Sequence, residues 1–311
     1  MQLEMGMFMK ELYDSMKTLI LDNYSLELSD TTLDILTVAS MALFVKNGEL
    51  TMKRLPKILS KIEIVFGDKS AAELISDRFP EYPRNDITDS HSAMVLRAIE
   101  ITDEGKLDED WAMFISTCSI EQDLIKVIAG SIHEFTHLLR FNGISETEKE
   151  GKVRDGISVS YFNKETKNMK RKHFNIEEGI VENYTSNTMQ EFYDFIKDED
   201  VSFSLSLSCF QRDYERKYEP GYTIQRLYLD RLSKDSEFKR LVDCSFVDEK
   251  EPPELIEYFN RKLSDPSAFT SFSKNLDKLV ECAYNDDLDN CEQLSKKLIM
   301  QANNFLSGKR Y

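Results

Sequence analysis

The sequence predicts a helix-dominated α+β fold, and three observations carry that reading. Glycine and proline number only 11 and 7 among 311 residues, which disfavours sandwiches and barrels built on many tight turns. Hydrophobic residues make up 41% of the chain and mostly recur at the spacing of amphipathic helices. Strand-like stretches, rich in β-branched and aromatic residues, are few and lie mostly between residues 91 and 200. The chain divides on this pattern into an N-terminal helical region (1–90), a core (91–200) and a C-terminal helical region (201–311).

Residues 2–23 read as an amphipathic helix with Met7, Leu12, Met16, Leu19 and Ile20 near one face. A second helix starts with Ser29 or Asp30 as its N-cap and stops at Gly48. "TMKRLPKILSKIEIVFG" and "SAAELISDRF" read as short helices, and "PEYPRND" as a loop. "SAMVLRAIEIT" and "WAMFISTC" (111–118) read as strands joined by the acidic turn "DEGKLDED". The best-marked helix spans about 120–142, with a capping-box pattern at Ser119 and Gln122 and Gly143 as its end. Leu124, Ile125, Ile128, Ile132, Phe135 and Leu139 form its apolar side. Residues 156–173 read as a hairpin with its tip near 164–168, and about 176–197 as another helix. "VSFSLSLSCF" alternates serine with apolar residues, which suits a half-buried strand, with a Ser-rich loop as the alternative. From Tyr222 onward the pattern is helical.

The formal net charge is −16. Affinity for nucleic acid comes mainly from Lys and Arg neutralising phosphates, so no nucleic-acid partner is expected. An anionic membrane surface would repel the chain too. The local exception is "KETKNMKRKH" (164–173), either a solvated hairpin tip or a patch attracting acidic substrate. Five cysteines without a CxxC pair suit reduced thiols. The N-terminus has no signal-peptide pattern and the longest apolar run, Ile35–Val45, is too short to span a bilayer. A cytoplasmic protein is the expectation.

Two of the four histidines fall in "SIHEFTHLLR", residues 131–140. His133 and His137 are one helical turn apart on one face, where both imidazoles reach a single metal ion. Glu134 is placed to hold and deprotonate a metal-bound water, the logic of HExxH zinc hydrolases. At this composition roughly 0.005 chance matches are expected in the chain. A third ligand is required. An HExxHxxGxxH continuation is absent, because Arg140 and Gly143 occupy the Gly and third His positions. Downstream, "NIEEGIVENYT" places Glu177, Glu178 and Glu182 at the start of a long helix. Glu178 and Glu182 share a face, so one can bind the metal while the other orients a ligand histidine. Glu177 points elsewhere. The spacing alone leaves open which of the three is the ligand.

"HEFTH" followed by "EEGIVENYT" resembles the gluzincin group of zinc metallopeptidases, the thermolysin-like and aminopeptidase-like enzymes. The resemblance spans about residues 111–190 and implies a zincin-like core around Zn²⁺. It implies His133, His137 and Glu178 as ligands, Glu134 as general base and Glu182 as the supporting acid. The chain departs from the pattern in two ways: forty residues lie between His137 and Glu178, and the supporting acid is Glu rather than Asp. The family pairs extended substrate with an edge strand before the zinc helix, and "WAMFISTC" resembles that strand. Amide hydrolysis also needs a donor to the developing oxyanion; His173, Tyr184 and, more remotely, Tyr161 are the candidates. His91 reads as a surface or core residue.

The expected partner is a peptide or protein substrate. The roughly 120 residues after the site have no evident chemical role and are candidates for a protein-partner surface. The competing expectation is a zincin-fold binding or regulatory protein with little or no proteolytic activity. "DDLDNCEQL" does not fit a calcium loop, since it lacks the sixth-position Gly and places Leu298 at position twelve.

Overall fold

The computed structural model describes the chain apart from residues 1, 80–92, 102–106, 117–119, 141, 148, 167–168, 247–250 and 309–311. "PEYPRND", His91, Ser119 and part of the acidic turn lie outside the described residues, as does Cys118 at the end of "WAMFISTC". The chain forms two compact units: Met1–Thr102, Asp108–Leu139 and Thr185–Glu219 make the first, and Asp103–Leu107, Arg140–Tyr184 and Pro220–Tyr311 the second.

In the first unit, α1 (Gln2–Asn23) packs on α2 (Asp30–Leu59). Of the expected face, Leu12, Met16 and Ile20 are buried, Leu19 is partly buried and the Met7 side chain lies outside the described residues; Met9 joins the buried stripe. Helix α2 is buried on most sides: Ile35, Leu36, Val38, Ala39, Met41 and Ala42 have no exposed surface. Ser29 is its N-cap, accepting from the Thr32 N–H. The expected stop at Gly48 is a kink instead. Asn47 leaves helical geometry (φ −155°, ψ 81°), its side-chain oxygen accepts from the Leu50 N–H, and the helix resumes to Leu59. "IEIVFG", taken with the preceding residues as helix, is strand β1 (Ile62–Gly67); its alternating β-branched residues prevail once Ser60 caps α2. Helix α3 (Ala71–Arg78) opens on a capping box of Ser70 and Glu73.

Strands β2 (Ala93–Ile101) and β3 (Leu107–Ser116) join β1 in a three-stranded sheet of order β1-β3-β2. Strands β1 and β3 are parallel, from Ile62 opposite Trp111 to Gly67 opposite Ser116. "WAMFISTC" is therefore the central strand and not an edge; its residues Ala112–Ile115 are buried. It also starts earlier than expected, inside the acidic turn. Helix α4 (Ile120–Leu139) follows, with a non-helical residue at Asp123 (φ −157°). It ends before the expected residue 142, because Asn142 and Gly143 already belong to the next strand.

The second half of helix α5 (Phe174–Ile196) and helix α6 (Leu205–Lys217) complete this unit. Helix α6 overturns the strand expected from "VSFSLSLSCF". The serines act as helix-start residues here: Ser204 Oγ accepts from the Leu207 N–H at 3.1 Å. Asp34 of α2 adds a carboxylate at the same end, accepting from the Ser206 N–H at 2.9 Å, from Ser204 Oγ and from the Tyr13 hydroxyl. A carboxylate at a helix N-terminus is favourable, and this one comes from a distant part of the chain.

The second unit contains an antiparallel meander in chain order: β4 (Asn142–Glu146), β5 (Glu150–Asp155), β6 (Ser158–Asn163) and β7 (Met169–Lys172). The expected hairpin is β6–β7, and two unexpected strands extend it. The first half of α5 belongs here, with α7 (Thr223–Leu232), α8 (Ser236–Cys244), α9 (Glu251–Leu263), α10 (Ala268–Tyr284) and α11 (Leu288–Ser307). Their core is aromatic: Phe259 stacks on Phe305 with ring centres 4.5 Å apart, beside Phe238, Phe269 and Phe272. No described helix is long and apolar enough to cross a membrane.

Candidate metal centre

The two histidines lie midway along α4, whose apolar side is anchored by Ile125, Ile128, Ile132 and Phe135, all buried. Burying that side fixes the rotation of the helix about its axis, and so where its polar residues point. The helix is also held at its end, where the Arg54 guanidinium of α2 donates to the Leu139 carbonyl. A cation there satisfies a terminal carbonyl and complements the helix dipole.

His133 is buried and His137 partly so. Their Nε2 atoms are 3.2 Å apart. Two nitrogens bound to one tetrahedral zinc at about 2.0–2.1 Å would be separated by about 3.3 Å, so the rings already have the span of two ligand positions. The next residue, Glu134, is partly buried, and its Oε2 accepts a hydrogen bond from the Val95 N–H of β2 at 2.9 Å. Strand β2 is an edge of its sheet.

Helix α5 carries the three glutamates, all buried, with exposures between 1% and 6%. Their fates differ. Glu177 forms a buried two-pronged ion pair with Arg140: Nε to Oε1 at 2.5 Å and Nη2 to Oε2 at 3.2 Å. Glu177 also accepts from the Ile157 N–H at 2.9 Å. The Arg140 guanidinium lies over Phe246, 4.2 Å from the ring centre. Gly156, in the turn between β5 and β6, has φ +57°, and a Cβ there would overlap both Glu177 and Arg140. Glu182 accepts from the Gly221 N–H at 2.7 Å, bracing the approach to α7.

One ligand atom from each of His133, His137 and Glu178 lies within 4.8 Å of the other two, so these residues could hold a metal ion. Two neutral nitrogens and one carboxylate suit a divalent transition metal. A second grouping, His137 with Asp155 and Glu177, shares one histidine. Its Glu177 is already neutralised by Arg140, which favours Glu178 as the carboxylate ligand.

The expected oxyanion donors are placed as follows. His173 immediately precedes α5 in a left-handed conformation (φ 62°), uncommon for a residue other than glycine. It is buried, edge-on to Phe269 at 5.1 Å, and its Nδ1 makes no hydrogen bond among the described residues. Burial, with Lys172 alongside as a smaller contribution, lowers its pKa to about 4. Tyr184 stacks on Phe246 at 4.1 Å. Tyr161 lies on the exposed part of β6, among lysines.

The sequence reading missed Arg140 and its pairing with Glu177. Arg140 entered that reading only as the residue in place of a glycine, although a guanidinium buried on the helix three residues after His137 needs a carboxylate partner. The Val95 N–H left no sequence signal, because a main-chain donor carries none. Searches against family models, curated proteins and solved structures return no match to this chain.

Proposed function

We propose that this protein is a zinc-dependent hydrolase of the gluzincin kind, cleaving peptide bonds, with His133, His137 and Glu178 as metal ligands. The convergence of one ligand atom from each of these three residues carries the reading. The donor set supports it: His₂Glu leaves a fourth position open, the arrangement of catalytic rather than structural zinc. Zinc bound there supplies a Lewis acid for the scissile carbonyl and lowers the pKa of water. A helix-dominated α+β chain with a strand-lined HExxH helix is what a zincin-like core requires.

The chain's own residues supply the rest. Glu134, adjacent to the first ligand, takes the proton from the attacking water and passes it to the leaving amine. The Val95 N–H orients that carboxylate in the absence of substrate. Glu182, one turn beyond Glu178 and buried, is the supporting acid. Arg140 takes up the charge of Glu177, and the carboxylate that groups with both histidines is that of Glu178. His173, neutral above about pH 4, serves as a hydrogen-bond donor to the oxyanion rather than as a cation. The substrate-pairing edge is assigned to β2, since β3 is enclosed on both sides.

The test is a peptide-library digest by wild type and Glu134→Gln, each assayed for zinc by metal analysis. The expected result is stoichiometric zinc in both and cleavage reduced about 10²–10⁴-fold in the variant. Equal cleavage by the two removes Glu134 from the mechanism. Zinc in both with cleavage by neither favours a zincin-fold binding or regulatory protein. No zinc in the wild type refutes the metal site.

A further inference from the structure

Strands β5, β6 and β7 bring Lys152, Tyr161 and Lys170 directly opposite one another: Lys152 pairs with Tyr161, and Tyr161 with Lys170. Opposed residues share a face, and so does Lys172, two residues beyond Lys170. The Lys172 ammonium is 4.8 Å from the centre of the Tyr161 ring and the Lys152 ammonium 6.0 Å. Tyr161 is 36% exposed. Lys152, Lys170 and Lys172 make no ion pair among the described residues.

That last fact is unusual in this chain. It has 56 Asp and Glu against 40 Lys and Arg, so partners for lysine are in surplus. Residues 149–172 nevertheless hold eight Lys and Arg against three Asp and Glu, a local net charge of +5. Like charges on neighbouring strands repel and destabilise a sheet. The tyrosine face offsets only part of this repulsion.

We propose that this face binds an extended acidic peptide segment beside β7. Among the described residues strand β7 is an edge of the four-stranded sheet, the position at which strand addition occurs. Lys170 and Lys172 repeat every second residue, about 6.6–6.8 Å apart along the strand. An extended peptide with carboxylates at alternate positions matches that repeat, and Tyr161 supplies an apolar surface between the charges. Long polyanions fit less well, because the rest of the chain is strongly negative and repels nucleic acid or an anionic bilayer over a Debye length of about 8 Å. The face uses none of the proposed metal ligands, so the inference stands or falls separately from the peptidase reading.

The experiment is fluorescence anisotropy on the full chain carrying Glu134→Gln, which prevents cleavage of the probe. The probe is a labelled peptide of about ten residues alternating Glu and Thr. Its controls are the Gln–Thr peptide and a single-stranded DNA of similar length. Lys152→Gln/Lys170→Gln/Lys172→Gln is compared with the parent, with thermal melts confirming that both fold; Lys172→Glu alone is the milder variant. Expected are saturable binding of the Glu–Thr peptide, weakened about tenfold or more in the triple variant and by rising salt, and weaker binding by Lys172→Glu. The proposal is overturned by no peptide binding, equal binding of the Gln–Thr peptide, or an unchanged triple variant. Tighter binding of DNA would reassign the face to nucleic acid. Patch-dependent self-association in sedimentation would reassign it to a second copy of this chain.

Discussion

Glu177 and Glu178 are sequence neighbours assigned opposite tasks. Glu177 belongs to a fully buried ion pair, where removing one partner leaves an uncompensated charge and costs about 3–5 kcal/mol. Glu178 is the carboxylate proposed as the metal ligand. Glu177→Ala is therefore expected to lower the urea midpoint sharply, while the variant that remains folded keeps zinc. Glu178→Ala is expected to keep most of the stability of the metal-free protein. It should lose zinc affinity by more than the ~10–100-fold that follows loss of a supporting group. Urea titrations with chelator and isothermal zinc titrations of both variants give the answer. Zinc loss in Glu177→Ala with unchanged stability would make Glu177 the ligand, in the grouping with His137 and Asp155.

The start of α5 is an element built around a strained residue. His173 adopts φ 62° and its carbonyl accepts from the Glu177 N–H, so the first turn of the helix begins on it. Burial lowers its pKa to about 4, against about 6.5 for an unfolded histidine. Between these values the unfolded chain binds the extra proton. The stabilisation is thus fully present above about pH 6.5 and is lost as pH falls through about 4, up to about 3 kcal/mol in total. His173→Asn tolerates the left-handed conformation and does not titrate. Its urea midpoint is expected to fall less than that of wild type between pH 7 and 4.5; parallel slopes would show that His173 carries no such linkage. Elements were legible where local signals agreed with the final packing: α1, the HExxH helix, α5 and the C-terminal helices. Helix α6 was misread because its start depends on Asp34, some 170 residues upstream, which no local pattern reveals. Strands β4 and β5 were missed because "NGISE" and "EGKVRD" are short and mostly polar, and become strands by pairing with each other and with β6. The residues that group as a possible metal site, His133, His137 and Glu178, were legible because such chemistry depends on side-chain type and helical spacing. What spacing left open among Glu177, Glu178 and Glu182 is narrowed by Arg140, whose pairing with Glu177 is set by the fold.

At the scale of the whole molecule, metal binding at the proposed triad is expected to be linked to folding. His133, His137 and Glu178 lie far apart in sequence and group only in the folded chain, so a metal held by all three binds the folded state in preference to the unfolded one. A ligand that binds the folded chain alone, at 100 times its dissociation constant, adds about 2.7 kcal/mol. For a chain of 311 residues that corresponds to a rise in melting temperature of about 4 °C. Differential scanning calorimetry of wild type with excess zinc and with chelator is expected to show that difference. It should vanish in His133→Ala and in Glu178→Ala, which lack a ligand. It should persist in Glu134→Gln, which keeps all three ligands and loses only the base. A wild-type melting temperature indifferent to zinc would reject the triad even if cleavage were observed. A shift surviving in Glu178→Ala but not in Glu177→Ala would transfer the third position to Glu177, with Arg140 then releasing it on metal binding.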